Sequence, residues 1–254
     1  MITMSPGMTL DGMTLTPWSP PAKTDVGSIT LGSNSGTAPY YYTNAHNDLK
    51  LDSDFTIEFF LRKDGAWNSG AGGIDYPLQS YDAFGTSQWW GLDLGRSGFL
   101  AGVYFSSQVA YTSGNFLSYG ATLGYGTSLN NVTWYHIALT RVLSTGAMVL
   151  YIDGVARGTA TVSAGSSLSS STQWKIDNTV YGRMTYIRYT RKVVYTATFT
   201  KPATVLLPLP ETALMIYPIT ADNAVIDYSK NNIGINLVDG SVRHFSISTT
   251  TSPF

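Results

Sequence analysis

Trp134-Tyr-His-Ile-Ala-Leu-Thr-Arg141, followed by Ala147-Met-Val-Leu-Tyr-Ile-Asp-Gly154, is the stretch on which the fold turns. Tyr135, Ile137 and Leu139 alternate with Trp134, His136 and Ala138. Successive side chains in an extended strand point to opposite faces, so Val132–Val142 reads as one strand. Ala147–Ile152 is a second apolar run of strand type, and it stops at Asp153-Gly154. Both of those residues take the positive φ of a tight hairpin turn, which makes Val155–Val162 the returning strand.

Working outward, Phe55–Arg62 places Phe55, Ile57, Phe59 and Leu61 on one face and Thr56, Glu58 and Arg62 on the other, the pattern of a half-buried strand. Gln88–Leu94, Phe99–Phe105, Gln173–Ile176, Thr185–Thr190, Ala213–Tyr217 and Ile233–Val238 are further strand candidates. No stretch sustains a 3.6-residue apolar stripe with caps, because Gly and Ser interrupt each one. Many short strands between turn signals point to an all-β sandwich or barrel. Four segments differ. Residues 1–22 are rich in Met, Thr and Pro and repeat Gly-Met-Thr-Leu at 7–10 and 12–15. Residues 63–87 are Gly-rich, 163–172 read by composition as a flexible Ser loop, and 201–212, with Pro202, Pro208 and Pro210, read as an extended crossing.

The chain has 254 residues, enough for a single large β domain. A chain of that size buries roughly 70–75% of its unfolded surface, so it needs no disulfide staples. It contains no Cys, which removes cysteine nucleophiles and Cys–zinc sites together. Charged residues are only 12% of the chain, with 15 Lys+Arg against 16 Asp+Glu. No basic cluster offers phosphates a partner, so nucleic acid is not an expected ligand. No run of 18 apolar residues marks a transmembrane helix. The start, Met1-Ile-Thr-Met-Ser-Pro-Gly7, lacks the basic and apolar blocks of a signal peptide, so synthesis in the cytoplasm is expected.

On these residues the chain resembles the laminin G-like/concanavalin A-like family. Trp134–Arg141 fits its W-x-H-(I/V)-A-x-x-R strand, and Tyr151-Ile-Asp-Gly154 fits its hairpin. Phe55-Thr-Ile-Glu-Phe-Phe60 fits its F-T-(I/V)-E strand, with Phe60 where Trp is commoner. Tyr181-Gly-Arg183, Tyr186–Thr190 and Val194–Pro202 resemble a tail seen in phage and bacterial members, and Leu214–Tyr217 with Ile226-Asp-Tyr-Ser229 resemble the closing strands. The resemblance runs in order over roughly residues 28–240. It implies a two-sheet antiparallel jelly-roll sandwich, often an accessory domain of virion or cell-surface proteins, and no single ligand. The organisation read this way is an extended arm at 1–27, the sandwich at 28–245 and a tail at 246–254.

Candidate sites are few. His136 has no second His or Cys at ligand spacing and belongs to the family strand, so it reads as a packed strand histidine. A glycanase needs paired carboxylates, and sandwich glycosidases carry an E-x-D-x-x-E type strand motif that is missing here. Asp52, Asp54, Asp75, Asp82, Asp93 and Glu58 stand singly, so no catalytic set is expected. Asp177-Asn178 and Asp222-Asn223 offer oxygens for calcium, but turn formation accounts for both, and no metal or cofactor is expected. Asn131-Val-Thr133 matches a glycosylation acceptor by chance in a chain without a secretion signal. Trp67, Tyr76, Tyr81, Trp89 and Trp90 are the candidate platform for a glycan or a partner; of the adjacent Trp pair, one must point inward. Met8, Leu10, Met13, Leu15 and Trp18 make the arm a candidate subunit-docking strand. The first expectation is thus a non-catalytic structural component of a tailed-phage particle (decoration, tail or baseplate), contacting other virion proteins or further copies of itself. A glycan-binding module recognising host surface polysaccharide is the alternative, and a polysaccharide-degrading enzyme the third.

Overall fold

The computed structural model describes residues 9–10, 13–14, 27–31, 40–64, 76–81, 89–94, 103–108, 119–125, 129–162, 164–176, 182–219, 224–238, 247–248 and 253–254. Among them are eighteen strands, numbered here in chain order. Trp134–Arg141 (β10) and Ala147–Ile152 (β11) run antiparallel with Ile137 opposite Ile152. β11 and Val155–Thr161 (β12) close on Asp153 and Gly154 at φ +50° and +78°, the hairpin that the sequence dictates. Phe55–Lys63 (β5) pairs with β10 on its other side over eight residue pairs, from Trp134↔Arg62 to Arg141↔Phe55.

The first sheet continues from β5 to Gly182–Thr190 (β14), Thr212–Ile219 (β15) and Ala224–Asp227 (β16), in the order β12-β11-β10-β5-β14-β15-β16. Ser28–Leu31 (β3) pairs with the first half of β14, and Ile247–Ser248 (β18) pairs with β3. The second sheet has the order β17-β4-β13-β6-β7-β8-β9: Ile235–Val238 (β17), Tyr40–Thr43 (β4), Trp174–Ile176 (β13), Leu78–Ser80 (β6), Trp89–Leu94 (β7), Val103–Gln108 (β8) and Tyr119–Tyr125 (β9). All these pairings are antiparallel. The inner faces share one core, in which Phe55, Ile57, Phe59 and Leu61 of β5 meet Leu78, Trp90, Phe105 and Trp174 of the second sheet. Trp90 lies edge-on to Trp174 with ring centroids 4.7 Å apart. No helix among the described residues is long and apolar enough to cross a membrane.

β5 departs from expectation. Its second face is not solvated: Thr56, Glu58 and Phe60 are fully buried. A strap of chain without regular structure, 191–211, crosses this outer face, as the prolines suggest for its second half. Beneath it Phe60, Tyr186, Met215 and Tyr217 pack with the strap's own Leu206 in a second apolar cluster, joined by Phe254. A β-bulge between Thr185 and Arg188, with Tyr186 at φ +51°, lets two residues of β14 oppose Phe59 alone. The extra residue turns Tyr186 into the outer cluster while Met184, Ile187 and Tyr189 stay in the inner core.

Three other features go beyond the sequence reading. The Ser-rich segment is packed: Leu168 and Ser169 are fully buried, Leu168 N–H donates to Leu51 O at 2.9 Å, and Arg141 Nη2 donates to Ser166 O at 2.6 Å. Its serines satisfy their own turns, as where Ser171 N–H donates to Ser169 Oγ at 3.0 Å. In the C-terminal tail, Ile247–Ser248 pairs with β3 of the first sheet, and the Phe254 ring centroid lies 5.0 Å from that of Phe60. In the arm, Thr9–Leu10 (β1) and Met13–Thr14 (β2), taken from the two copies of the repeat, pair with each other, Leu10 opposite Met13.

Candidate functional site

Among the described residues, the solvent face of the second sheet carries an assembly of partly exposed aromatic groups. In β4, Tyr41 and Thr43 point into the core, so Tyr40 and Tyr42 point out and are half-buried. In β13, Trp174 and Ile176 fill the core and Lys175 faces out; in β6, Leu78 and Ser80 are inward and Gln79 outward. Register then sets a row across three strands, Tyr42 opposite Lys175 and Lys175 opposite Gln79, with Asn236 of β17 beyond Tyr42. Tyr81, 39% exposed, closes the group: its ring centroid lies 5.4 Å from that of Tyr42 and 6.3 Å from that of Tyr40. Lys175 Nζ stands 4.2 Å above the centre of the Tyr40 ring.

The support beneath is tied by hydrogen bonds. Trp174 Nε1 donates to Leu49 O at 2.9 Å, and Trp174 N–H to Thr43 Oγ1 at 2.9 Å. Tyr81 N–H donates to Gln173 O at 2.9 Å, and Gln173 Nε2 to Thr43 O at 3.0 Å. Three tyrosine rings, an ammonium and the amides of Gln79 and Asn236 therefore share one sheet face. Rings offer apolar contact area with a polar tip, and amides and hydroxyls fix orientation, the combination that holds a polar ring-shaped ligand.

The opposite sheet holds a buried polar cluster under the strap. Glu58 Oε2 accepts from His136 Nε2 at 3.0 Å and from Tyr195 OH at 2.8 Å. Its Oε1 accepts from Arg188 Nε at 2.8 Å and Nη2 at 2.5 Å. Arg188 Nη1 also donates to Leu207 O at 2.5 Å, so the cluster spans β5, β10, β14 and the strap. Desolvation pushes the Glu58 carboxyl up, but the His136 hydrogen bond and the Arg188 charge outweigh it and hold the carboxyl below its ordinary value. Burial beside Glu58 drives the Tyr195 phenol well above its ordinary range. Through Tyr195 and Leu207 the enclosed charges fasten the strap to the sheet.

Most remaining described carboxylates also have defined partners. Asp227 of the D-x-S segment accepts from Met215, Ser229 and Ile233 N–H at 2.8, 2.8 and 2.7 Å and from Ser229 Oγ at 2.8 Å. Asp54 caps Leu143 N–H at 2.7 Å, Asp64 binds Arg62 and Arg183, and Asp153 binds His136 N–H and Lys201. Among the described residues no group of three His, Cys, Asp or Glu is arranged to hold a metal ion.

Of the anticipated platform, Tyr81 is on the exposed face. Tyr76 is half-buried, its carbonyl accepting from Gln79 Nε2 at 3.5 Å. Trp90 is 1% exposed and leaves the candidate surface, because its strand alternation turns it onto Trp174. Trp89 lies on β7, its side chain outside the described set, and Trp67, Met8, Leu15 and Trp18 lie outside the described residues, as do Asp75, Asp82, Asp177-Asn178 and Asp222-Asn223. Tyr40, Tyr42, Lys175 and Gln79 are additions. The run Tyr40-Tyr-Tyr42 carried the signal, since period two places its ends on one face.

Two antiparallel sheets stacked on one core, with this strand order, define a concanavalin A-like jelly-roll sandwich. The chain belongs to the concanavalin A-like lectin/glucanases superfamily, whose laminin G-type family model matches residues 12–185. No curated protein matches it in sequence. A candidate carbohydrate binding protein from Bacteroides ovatus shares the fold at 15% identity and TM-score 0.56, over 95% of this chain and 67% of that one. A heptameric SAP-like pentraxin from Limulus polyphemus aligns at 13% identity and TM-score 0.49, over 83% and 98%. The carbohydrate-binding module CBM40 of the Ruminococcus gnavus IT-sialidase, bound to α2,3-sialyllactose, aligns at 16% identity and TM-score 0.45, over 67% and 92%.

Proposed function

We propose that this sandwich is a non-catalytic carbohydrate-binding module, and that it acts as an attachment or decoration component of a tailed-phage particle. The Tyr40–Tyr42–Tyr81 group with Lys175 and Gln79 carries the binding reading: it is an aromatic and hydrogen-bonding surface held on a braced sheet. A pyranose presents an apolar C–H face and a rim of hydroxyls, which matches rings flanked by amides and phenols. Fold sharing with a candidate carbohydrate binding protein is in keeping with this. The non-catalytic reading is supported by the engagement of Glu58, Asp54, Asp64, Asp153 and Asp227 in structural hydrogen bonds. The phage reading rests on the sequence resemblance of Tyr181-Gly-Arg183, Tyr186–Thr190 and Val194–Pro202 to a tail seen in phage and bacterial members. In this reading the protein is made in the host cytoplasm, and its partners are neighbouring virion proteins and host surface polysaccharide.

A glycan array probed with the full chain, with Tyr42→Ala and with Tyr81→Ala tests binding. Wild-type signal that both substitutions abolish, at unchanged circular dichroism, is the expected result; silence of the wild type across the array overturns the binding reading. Immunogold labelling of purified particles tests the location, and unlabelled particles that nonetheless infect overturn it.

A further inference from the structure

We infer that the tyrosine-lined face reads a pair of adjacent hydroxyls on its sugar, through the side-chain amides of Asn44 and Asn236 beside Tyr42. The inference rests on the carbohydrate-binding reading and specifies its ligand class: a pyranose with one vicinal diol left unsubstituted. Asn236 stands opposite Tyr42 in the pairing of β17 with β4. Asn44 follows Tyr42 by two residues, and its N–H donates to Gly234 O at 2.7 Å, which carries the same register past the end of β4. Period two puts Asn44 on the outward face with Tyr42, and Gly234 on that face with Asn236. Tyr40, Gln79 and Lys175 are engaged with other groups and take no part in this assignment.

The two amides are held as well as placed. Asn236 Nδ2 donates to Asn44 Oδ1 at 2.8 Å, although Asn44 is exposed and Asn236 only half-buried. The Asn44 amide lies over Gly234, where a Cβ would come within 2.5 Å of Asn44 Nδ2. An exposed asparagine otherwise spreads over its rotamers, and fixing it costs entropy that one hydrogen bond at the surface does little to offset. Amides already fixed in this way lose less freedom when a ligand arrives. The mutual bond leaves Asn44 Nδ2 as a donor and Asn236 Oδ1 as an acceptor, and neither side chain has a further partner among the described residues. Two hydroxyls on neighbouring ring carbons match that pair: one accepts from Asn44 Nδ2 and the other donates to Asn236 Oδ1. A sugar ring resting against Tyr42 and Tyr81, whose centroids lie 5.4 Å apart, brings its edge to the amides, because directly opposite side chains in a sheet are in contact. A ring that lacks either hydroxyl strands a desolvated amide group, and the site rejects it by more than the missing bond.

The test is NMR titration of the full chain with the methyl glycosides of glucose, galactose and mannose and with their monodeoxy derivatives. In a sugar that binds, two neighbouring hydroxyls should stand out, each deletion weakening binding about 5- to 20-fold. Asn236→Ala should weaken binding of the parent glycoside by a similar factor and erase those two penalties, as coupled partners require. Gly234→Ala should do the same by displacing the Asn44 amide, since the Gly234 backbone needs no left-handed φ. Both variants should keep the wild-type thermal midpoint. Penalties that persist in Asn236→Ala, or deletions among which no adjacent pair stands out, overturn the diol assignment and leave the carbohydrate reading standing. Silence of all three glycosides while the glycan array responds has the same meaning. Silence of the array as well overturns the carbohydrate reading itself.

Discussion

Glu58→Gln removes the charge at the centre of the strap's attachment while keeping the side chain's size. In the native protein the carboxylate faces four donors, His136 Nε2, Tyr195 OH, and Nε and Nη2 of Arg188, with both Glu58 and His136 at 0% exposure. The amide turns its own N–H groups toward one pair of those donors and leaves Arg188, 7% exposed, without a counter-charge. Removing one partner of a buried ion pair costs about 3–5 kcal/mol. For a chain of this length that corresponds to a fall in thermal midpoint of about 6–20 °C. Guanidinium unfolding followed by tryptophan fluorescence measures the loss. Glu58→Leu combined with Arg188→Met should recover part of it, because neither charge is then stranded. The pH dependence has a definite sign. Glu58 is held below its ordinary value of 4.5, so its contribution is complete above that value and declines as pH falls through it toward the folded value. The stability gap between wild type and Glu58→Gln should therefore be widest near neutrality and narrow below about pH 4.5. A loss under about 1 kcal/mol at neutral pH, the level of an exposed pair, would refute the enclosed-cluster reasoning.

Three further outcomes follow from the same contacts. Gly154→Ala places a Cβ 1.9 Å from Phe199 O at φ +78°, so it should cost more than the about 1–2 kcal/mol of left-handed strain alone and make 191–211 the first site of limited proteolysis; an uncut strap contradicts this. Trp90→Ala opens the core beside Trp174 and should cost about 3–5 kcal/mol in denaturant unfolding, while the folded fraction keeps wild-type saccharide affinity; lost affinity at intact stability would return Trp90 to the surface platform. Asp227→Ala strips a partner from three backbone N–H groups and the Ser229 hydroxyl, and at about 1–3 kcal/mol for each buried donor left unsatisfied it should leave little folded protein by circular dichroism at 37 °C.

The sandwich was legible wherever a strand has one wet face or a decisive turn. β10, β11 and the Asp153-Gly154 hairpin follow from alternation and from the φ preference of two residues, both local properties. Burial of Glu58 was not legible, because alternation cannot distinguish a solvated outer face from one covered by chain 137 residues further on, as the Tyr195 to Glu58 bond records. The packed Ser-rich segment misled for a similar reason. Composition reports that serines avoid regular structure, not that Arg141 and Leu51 hold their backbone in place. For the aromatic platform, adjacency of Trp89 and Trp90 fixed that one points inward without saying which. Tyr40 and Tyr42 escaped notice because β4 has only four residues, too short for periodicity to register, and its row with Lys175 and Gln79 exists only through pairing with strands distant in sequence. Pairing register is what assembles that face, and no local pattern encodes it.

The most direct test is backbone amide chemical-shift mapping of the full chain on addition of a saccharide that binds. The account predicts that the largest shifts fall on β4, β6 and β13, at Tyr40, Tyr42, Gln79, Lys175 and Tyr81, with residues around Glu58 and the strap unmoved. Shifts centred on the strap side of the first sheet, with Tyr42 and Lys175 unchanged, would contradict it.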